Sequence, residues 1–213
     1  MLRELLRWVG PWQAFHRRVR RRTGRSRDVA AIRATDGELS PDEATLLYDL
    51  ARTAVDGAIV EIGTFHGKST VACALGTRAG HDLRVYAVDP FLPFTGVCGG
   101  QFGPADKTQL LRNLLLADVA EQVWLLHTTS VQAARGWRER IALLWIDGDH
   151  SYEAVRADVD AWMPFVRPGG LIAFHDARNP ALGPYRVVEQ LLADGTFERD
   201  GGVGSISVLR RPG

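Results

Sequence analysis

Two apolar runs in this chain end on charged residues in a way that leaves few folds open. Ile141–Ile146 stops abruptly at Asp147-Gly148-Asp149-His150, and a helical pattern begins at once at Ser151-Tyr152. Leu171–Phe174, introduced by the turn Pro168-Gly169-Gly170, stops at His175-Asp176. Short apolar runs bounded by turn residues suit strands that are buried on both faces. Further runs over Ala58–Ile62, Leu83–Val88 and Val123–Leu126 have the same character, the second ending on Asp89-Pro90 and the third on His127. Helical patterns separate them: Lys68–Arg78, Asp106–Ala117, Val131–Arg138, Tyr152–Phe165 and Tyr185–Ala193. Two terminal strands follow around Gly201-Gly202. This alternation predicts an α/β fold, a Rossmann-like doubly wound sheet that is mostly parallel and covered by helices on both faces. In such a sheet ligands bind at the carboxyl edge of the strands. The chain therefore delivers Asp147, Asp149, His150, His175 and Asp176 to one ligand-binding edge. Three acids that converge there repel one another unless a cation sits among them, which favours a metal-assisted active site.

The chain outside these runs divides in two. Residues 1–27 carry nine arginines against one acid, Glu4. They predict a basic helical arm over residues 1–39, with a helix spanning 2–22, ahead of a domain at 40–213. The arm reads equally as a solvated face, a subunit contact or a surface for an acidic or membrane-bound partner. Ser40-Pro41-Asp42-Glu43 is a strong helix start, with a serine cap, proline at the first helical position and acids in the first turn. The small residues of Lys68–Arg78 predict a helix lying close against another element. The 213 residues suit one domain, and a net charge of +1 gives no argument for nucleic acid. Cys73 and Cys98 have neither metal-ligand spacing nor partners, so a reducing cytoplasm fits. No apolar run reaches membrane-spanning length. Residues 91–105 are too long for an ordinary connection and contain Phe91, Phe94 and Phe102, which predicts a lid over the site.

The turn after the first strand, Gly63-Thr64-Phe65-His66-Gly67-Lys68-Ser69, tempts a nucleotide triphosphatase reading. A phosphate-binding loop needs four residues between its glycines, and this turn has Thr64, Phe65 and His66. A different ligand uses the same parts. Glu61 can accept from an ammonium group. Gly63 and Gly67 let a ligand approach the backbone, and the helix N-terminus, through Thr64 and Ser69, offers donors to a carboxylate. Asp89 is placed to accept both hydroxyls of a ribose. S-adenosylmethionine carries an ammonium, a carboxylate and a ribose together.

The order Glu61-Ile62-Gly63, Asp89-Pro90, Ile146-Asp147-Gly148-Asp149-His150-Ser151-Tyr152 and Pro168-Gly169-Gly170-Leu171-Ile172-Ala173-Phe174-His175-Asp176 resembles class I S-adenosylmethionine-dependent methyltransferases. Among them it is most similar to small metal-dependent O-methyltransferases that act on sugar hydroxyls in macrolide, aminocoumarin and polysaccharide pathways. The likeness covers about residues 40–210. It implies seven strands with the last antiparallel, N-terminal helices used for homodimer contacts, and a small-molecule sugar or glycoside acceptor. It also implies Ser130 near the adenine, and a divalent cation, usually Mg2+, on Asp147, His175 and Asp176. Relatives usually carry a carboxylate where His175 stands, which admits an imidazole-tolerant metal. Asp149 by analogy, or His150 by its ordinary pKa, is the catalytic base. A catechol-type acceptor is the neighbouring alternative.

Overall fold

The computed structural model describes residues 24–213. The helix expected over 2–22 lies outside them. In chain order the described elements are helices α1 (Arg25–Ala34) and α2 (Pro41–Thr53), strand β1 (Ala58–Ile62), α3 (Lys68–Ala79) and β2 (Val85–Val88). A short hairpin of β3 (Phe94–Thr95) and β4 (Gln101–Phe102) precedes α4 (Pro104–Leu116), β5 (Val123–Leu126) and α5 (Ser130–Arg135). Then come β6 (Ile141–Ile146), α6 (Tyr152–Trp162), β7 (Val166–Phe174), α7 (Gly183–Ala193), β8 (Glu198–Gly201) and β9 (Ser207–Arg210).

Seven strands form one sheet in the order β5-β2-β1-β6-β7-β9-β8. β1 pairs in parallel with both β2 and β6, and β7 continues the parallel set. The last strand, β9, runs antiparallel to both β7 and β8. All residues of β1, β2 and β6 are buried, as expected where helices cover both faces. One core packs α1–α4 on one face, around Tyr48, Leu75, Leu110 and Trp145. The other packs α5–α7 on the opposite face, around Val159, Trp162, Val187 and Phe197. The chain leaves β1 toward β2 on one side, whereas β6 lies on its other side. This reversal opens a crevice at the strand ends.

Local chemistry explains the boundaries. Ser40 caps α2 reciprocally with Glu43: Ser40 Oγ accepts from Glu43 N at 3.3 Å, and the Glu43 carboxylate accepts from Ser40 N at 3.0 Å. The close neighbour of α3 is α2. A Cβ on Gly76 would lie 2.3 Å from the Tyr48 carbonyl oxygen, so the two helix backbones touch. α4 starts before Asp106 because Pro104 occupies its first turn and the Asp106 carboxylate accepts from Gly103 N at 2.8 Å. α6 passes into a 3-10 turn over Met163–Phe165, where Pro164 has no N–H to give. β7 begins earlier than the apolar run suggests. Ile141 pairs with Val166 and Leu143 with Leu171, so Pro168-Gly169-Gly170 is a bulge within the strand. Helix α1 is not visible in the periodicity. It is held by tertiary contacts: Ile32 is buried, Tyr48 Oη donates to Asp28 at 3.1 Å, and Arg25 pairs with Asp49. Residues 25–34 of the expected arm thus pack onto the domain.

Candidate active site

A cavity of about 1030 Å³ opens at the ends of β1, β2, β6 and β7. Its wall includes the turn after β1, the residue 91–103 loop, Ser130, Asp158, Asp147–His150, His175 and Asp176. The turn is built for close approach. Gly63 has φ +80°, and a Cβ there would lie 2.3 Å from the Asp147 carbonyl oxygen. Gly67 has φ +83° and caps α3 against Leu110. Lys68 Nζ donates to the Gly37 carbonyl at 3.3 Å instead of reaching into the turn, which removes the cation a triphosphate loop requires.

The side chains expected to hold the cofactor are tied into the wall. Asp89 Oδ2 accepts from Thr64 N at 3.0 Å and Thr64 Oγ1 at 3.3 Å, while its Oδ1 accepts from Phe91 N at 2.7 Å. Glu61 is fully buried beneath the cavity and does not line it. It accepts from Ser69 Oγ and from Thr70 Oγ1, the latter at 2.5 Å. Burial outweighs these donors and pushes its carboxyl up to about 8, aided by the nearby charges of Asp147 and Asp89. Ser69 lines the cavity above it. Ser130 accepts from Trp162 Nε1 at 2.8 Å and bonds to Asp158.

At the ends of β6 and β7, two carboxylates and two imidazoles interlock. Asp147 Oδ1 lies 3.1 Å from His175 Nδ1 and 3.3 Å from His150 Nε2. Asp176 Oδ2 lies 3.2 Å from His150 Nδ1 and 3.7 Å from His175 Nδ1. Burial disfavours the charged imidazoles, but Asp147 and Asp176 outweigh it. They raise His150 to about 10 and raise His175 as well. Burial also disfavours the Asp147 carboxylate, yet the histidines hold it below its ordinary value. The bond from His150 does the same for Asp176. The expectation of three mutually repelling acids is therefore corrected. Histidines stand between Asp147 and Asp176, and Asp149, also on the cavity wall, binds the cap residue of the next helix. Its two oxygens accept from Ser151 N at 3.0 Å and Ser151 Oγ at 3.2 Å.

Asp176 adopts φ +50°, a left-handed conformation uncommon for a side-chain-bearing residue and frequent at functional sites. Its N–H donates to Ser205 Oγ at 3.4 Å, and Ser205 is held by Glu43 on α2. Among the described residues, Asp147, His150 and His175 form a group whose donor atoms all lie within 4.8 Å of one another. This mixed oxygen and nitrogen set fits a divalent transition metal.

A family model described as a methyltransferase domain matches residues 60–177, more than half of the chain. The chain belongs to that methyltransferase family. The match runs from the middle of β1 to just beyond the β7 end, which is the segment that builds the cavity. The methyltransferase also shares its fold with solved structures. One is an O-methyltransferase from Bacillus cereus in complex with SAH, with 17% identity, TM-score 0.62, and 89% of this chain and 93% of that one covered. A second is the O-methyltransferase TomG from Streptomyces achromogenes, involved in tomaymycin synthesis and in complex with SAM, with 18% identity, TM-score 0.61, and 88% and 89% covered. A third is a methyltransferase from Geobacter sulfurreducens, with 20% identity, TM-score 0.63, and 87% and 88% covered.

Two features of the methyltransferase site escaped the sequence. Asp158 is a buried carboxyl at the cavity wall, pushed up to about 6 by burial and by Asp149. A signal existed, since it falls on the apolar face of α6 with Val155, Val159 and Trp162. The link between Glu43 and Ser205 left no signal, being made only by the fold. His66 lines the cavity between two carboxylates, Nδ1 at 2.7 Å from Asp36 and Nε2 at 3.2 Å from Asp106. Its ring stacks on Phe65, which meets Phe102 edge to face, and Phe102 in turn stacks on Phe94. The aromatic part of the expected lid is thereby joined to the glycine turn. Trp145 packs in the core, and the described residues include no helix long and apolar enough to cross a membrane.

Proposed function

We propose that this methyltransferase moves the methyl group of S-adenosylmethionine to a hydroxyl oxygen of a sugar or glycoside, with the help of a divalent cation. The observation that carries the reading is the junction of two functions in one cavity. A glycine turn able to take a charged, ribose-bearing ligand lies in backbone contact with the Asp147 end of β6, where the Asp–His cluster begins. Gly63, Thr64, Gly67 and Ser69 receive the amino acid end, with Glu61 beneath giving up its proton as the ammonium arrives. Asp89 takes the ribose hydroxyls and Ser130 borders the adenine. Asp147, His175 and Asp176 are the residues that hold the cation in this reading. When bound, the cation acts as a Lewis acid that makes a hydroxyl proton easier to remove.

The protein's own share is orientation and proton handling. Fixing the hydroxyl oxygen in line with the methyl carbon and sulfur supplies much of the acceleration. The proton passes to Asp149 beside the oxygen, since the His150 ring held between Asp147 and Asp176 already carries its own proton. The apolar loop residues Leu92, Phe94 and Val97 are exposed beside the cavity and cover the acceptor. The stacked pair Phe94 and Phe102 favours an acceptor with an aromatic portion, which keeps a catechol-type acceptor as the second reading. The proposal includes self-association through the N-terminal helices and a cytoplasmic setting.

The test is methyl transfer from labelled S-adenosylmethionine to a panel of glycosides and catechols, with and without EDTA. Calorimetry with S-adenosylhomocysteine and with ATP runs in parallel. Transfer to a glycoside that EDTA abolishes supports the reading. Tight ATP binding without any response to S-adenosylhomocysteine overturns it.

A further inference from the structure

We infer that the cation is held by Asp147, His150 and His175, a one-carboxylate, two-imidazole set, and that Asp176 orients His150 from outside it. The inference rests on the reading that this site takes a divalent cation. It changes which residues hold the ion and therefore which ion is held. His150 presents its two ring nitrogens to two different carboxylates. Nε2 is the nitrogen at 3.3 Å from Asp147 Oδ1, and Nδ1 is the one at 3.2 Å from Asp176 Oδ2. One ring can give an ion only one nitrogen. Nε2 shares Asp147 Oδ1 with His175 Nδ1, at 3.3 and 3.1 Å, and Asp147, His150 and His175 bring their donor atoms within 4.8 Å of one another. The Nδ1–H then donates to Asp176. A carboxylate behind a ligating histidine fixes its tautomer and raises its basicity.

The two spacings from Asp147 suit one ion. Donors about 2.1 Å from a metal lie about 3.0 Å apart at right angles and about 3.4 Å apart at the tetrahedral angle. Asp147 Oδ1 stands at 3.1 and 3.3 Å from the two imidazole nitrogens. Asp176 is held to its task by its left-handed backbone and by the bond from its N–H to Ser205. Imidazoles favour first-row transition metals, whereas Mg2+ prefers oxygen. The set therefore selects a metal such as Co2+ or Mn2+ over Mg2+. With His150 ligated in the loaded enzyme, Asp149 remains as the group to take the acceptor proton.

The experiment uses the metal-free full chain, loaded with Mn2+ and examined by electron spin-echo modulation for coupled nitrogen nuclei. Affinities for Co2+, Mn2+ and Mg2+ are measured by calorimetry. Two imidazole nitrogens are expected in the wild type and one in His150→Ala. Co2+ is expected to bind at least tenfold tighter than Mg2+. Asp176→Asn is expected to keep both nitrogens and lose about 10–100-fold in affinity. A single nitrogen in the wild type, or loss of all metal binding in Asp176→Asn with His150 and His175 intact, overturns this assignment and leaves a cation site on other residues. No binding of any of the three metals, with methyl transfer unaffected by EDTA, overturns the cation reading itself and this assignment with it. The wild-type nitrogen count decides even if a variant fails to fold.

Discussion

Glu43 on α2 accepts hydrogen bonds from Ser205 N at 2.7 Å and Ser205 Oγ at 2.8 Å, across 162 positions of sequence. The same carboxylate closes the capping box with Ser40, and Ser205 Oγ accepts from Asp176 N. One buried acid thus ties the start of a helix to the residue that follows His175. Burial alone would push this carboxyl up. The donors of Ser205 and Ser40 outweigh burial and hold it at about 2.

That depression has a pH consequence. The folded pKa lies below the unfolded one, so the stabilisation is complete above about pH 4.5 and is lost as pH falls toward 2. Glu43→Ala is expected to destabilise the protein by about 2–3 kcal/mol at pH 7, because it leaves buried donors unpaired. It should also weaken the acid dependence of unfolding between pH 4.5 and 2. Urea melts of both proteins across that range check this.

Glu61 has the opposite sign. Its folded pKa, about 8, lies above the ordinary value of 4.5. The protonated folded form is favoured, so its contribution to stability is complete below about pH 4.5 and is lost as pH rises through 8. Glu61→Gln should flatten the fall in melting temperature between pH 5 and 8 and should weaken S-adenosylhomocysteine binding. Binding to the wild type at pH 7 should release a proton, since an arriving ammonium favours the carboxylate. Calorimetry in buffers of different ionisation enthalpy measures that release.

Asp147→Ala is expected to lower kcat/KM at least about 1000-fold, a loss of about 4 kcal/mol of transition-state stabilisation. Asp176→Ala should also abolish detectable transfer. Both variants should hold S-adenosylhomocysteine nearly as well as the wild type. Single-turnover kinetics and calorimetry separate the two effects.

Gly76→Val places a side chain where the Tyr48 carbonyl stands, 2.3 Å from the ideal Cβ position. Helices α2 and α3 must part. A loss of about 1–3 kcal/mol or more is expected, read as a lowered midpoint in denaturant with no change in metal stoichiometry.

Phe102→Ala removes the ring that stacks on Phe94 and meets Phe65 edge to face. Acceptor KM is expected to rise several-fold with S-adenosylhomocysteine affinity little changed. Initial rates at varied acceptor concentration check it.

Much of the frame was legible because it is written in contiguous residues. β1 and β6 begin and end where their apolar runs do, since a strand buried on both faces needs an unbroken run and a turn at each end; β5 keeps its expected bounds too, but as a partly exposed edge strand and not a buried one. The helix start at Ser40 was equally plain. What escaped was made by the fold. Helix α1 has no strong apolar stripe and is held by Asp28 reaching Tyr48. The burial of Glu61 under Ser69 and Thr70 depends on how α3 seats over β1. The acids were readable as a set, but their neutralisation by His150 and His175 was not, because ring orientation has no trace in spacing.

The contact between Gly63 and the Asp147 carbonyl has a consequence for anyone redesigning this enzyme. The two loops lie backbone against backbone, so neither can be remodelled alone. A bulkier residue at position 63 would shift the Asp147 carboxylate along with the turn. Variation aimed at new acceptors has its free ground elsewhere, at Leu92 and Val97 of the 92–102 segment, which are exposed and stand outside the Phe94–Phe102–Phe65 stack that reaches the turn.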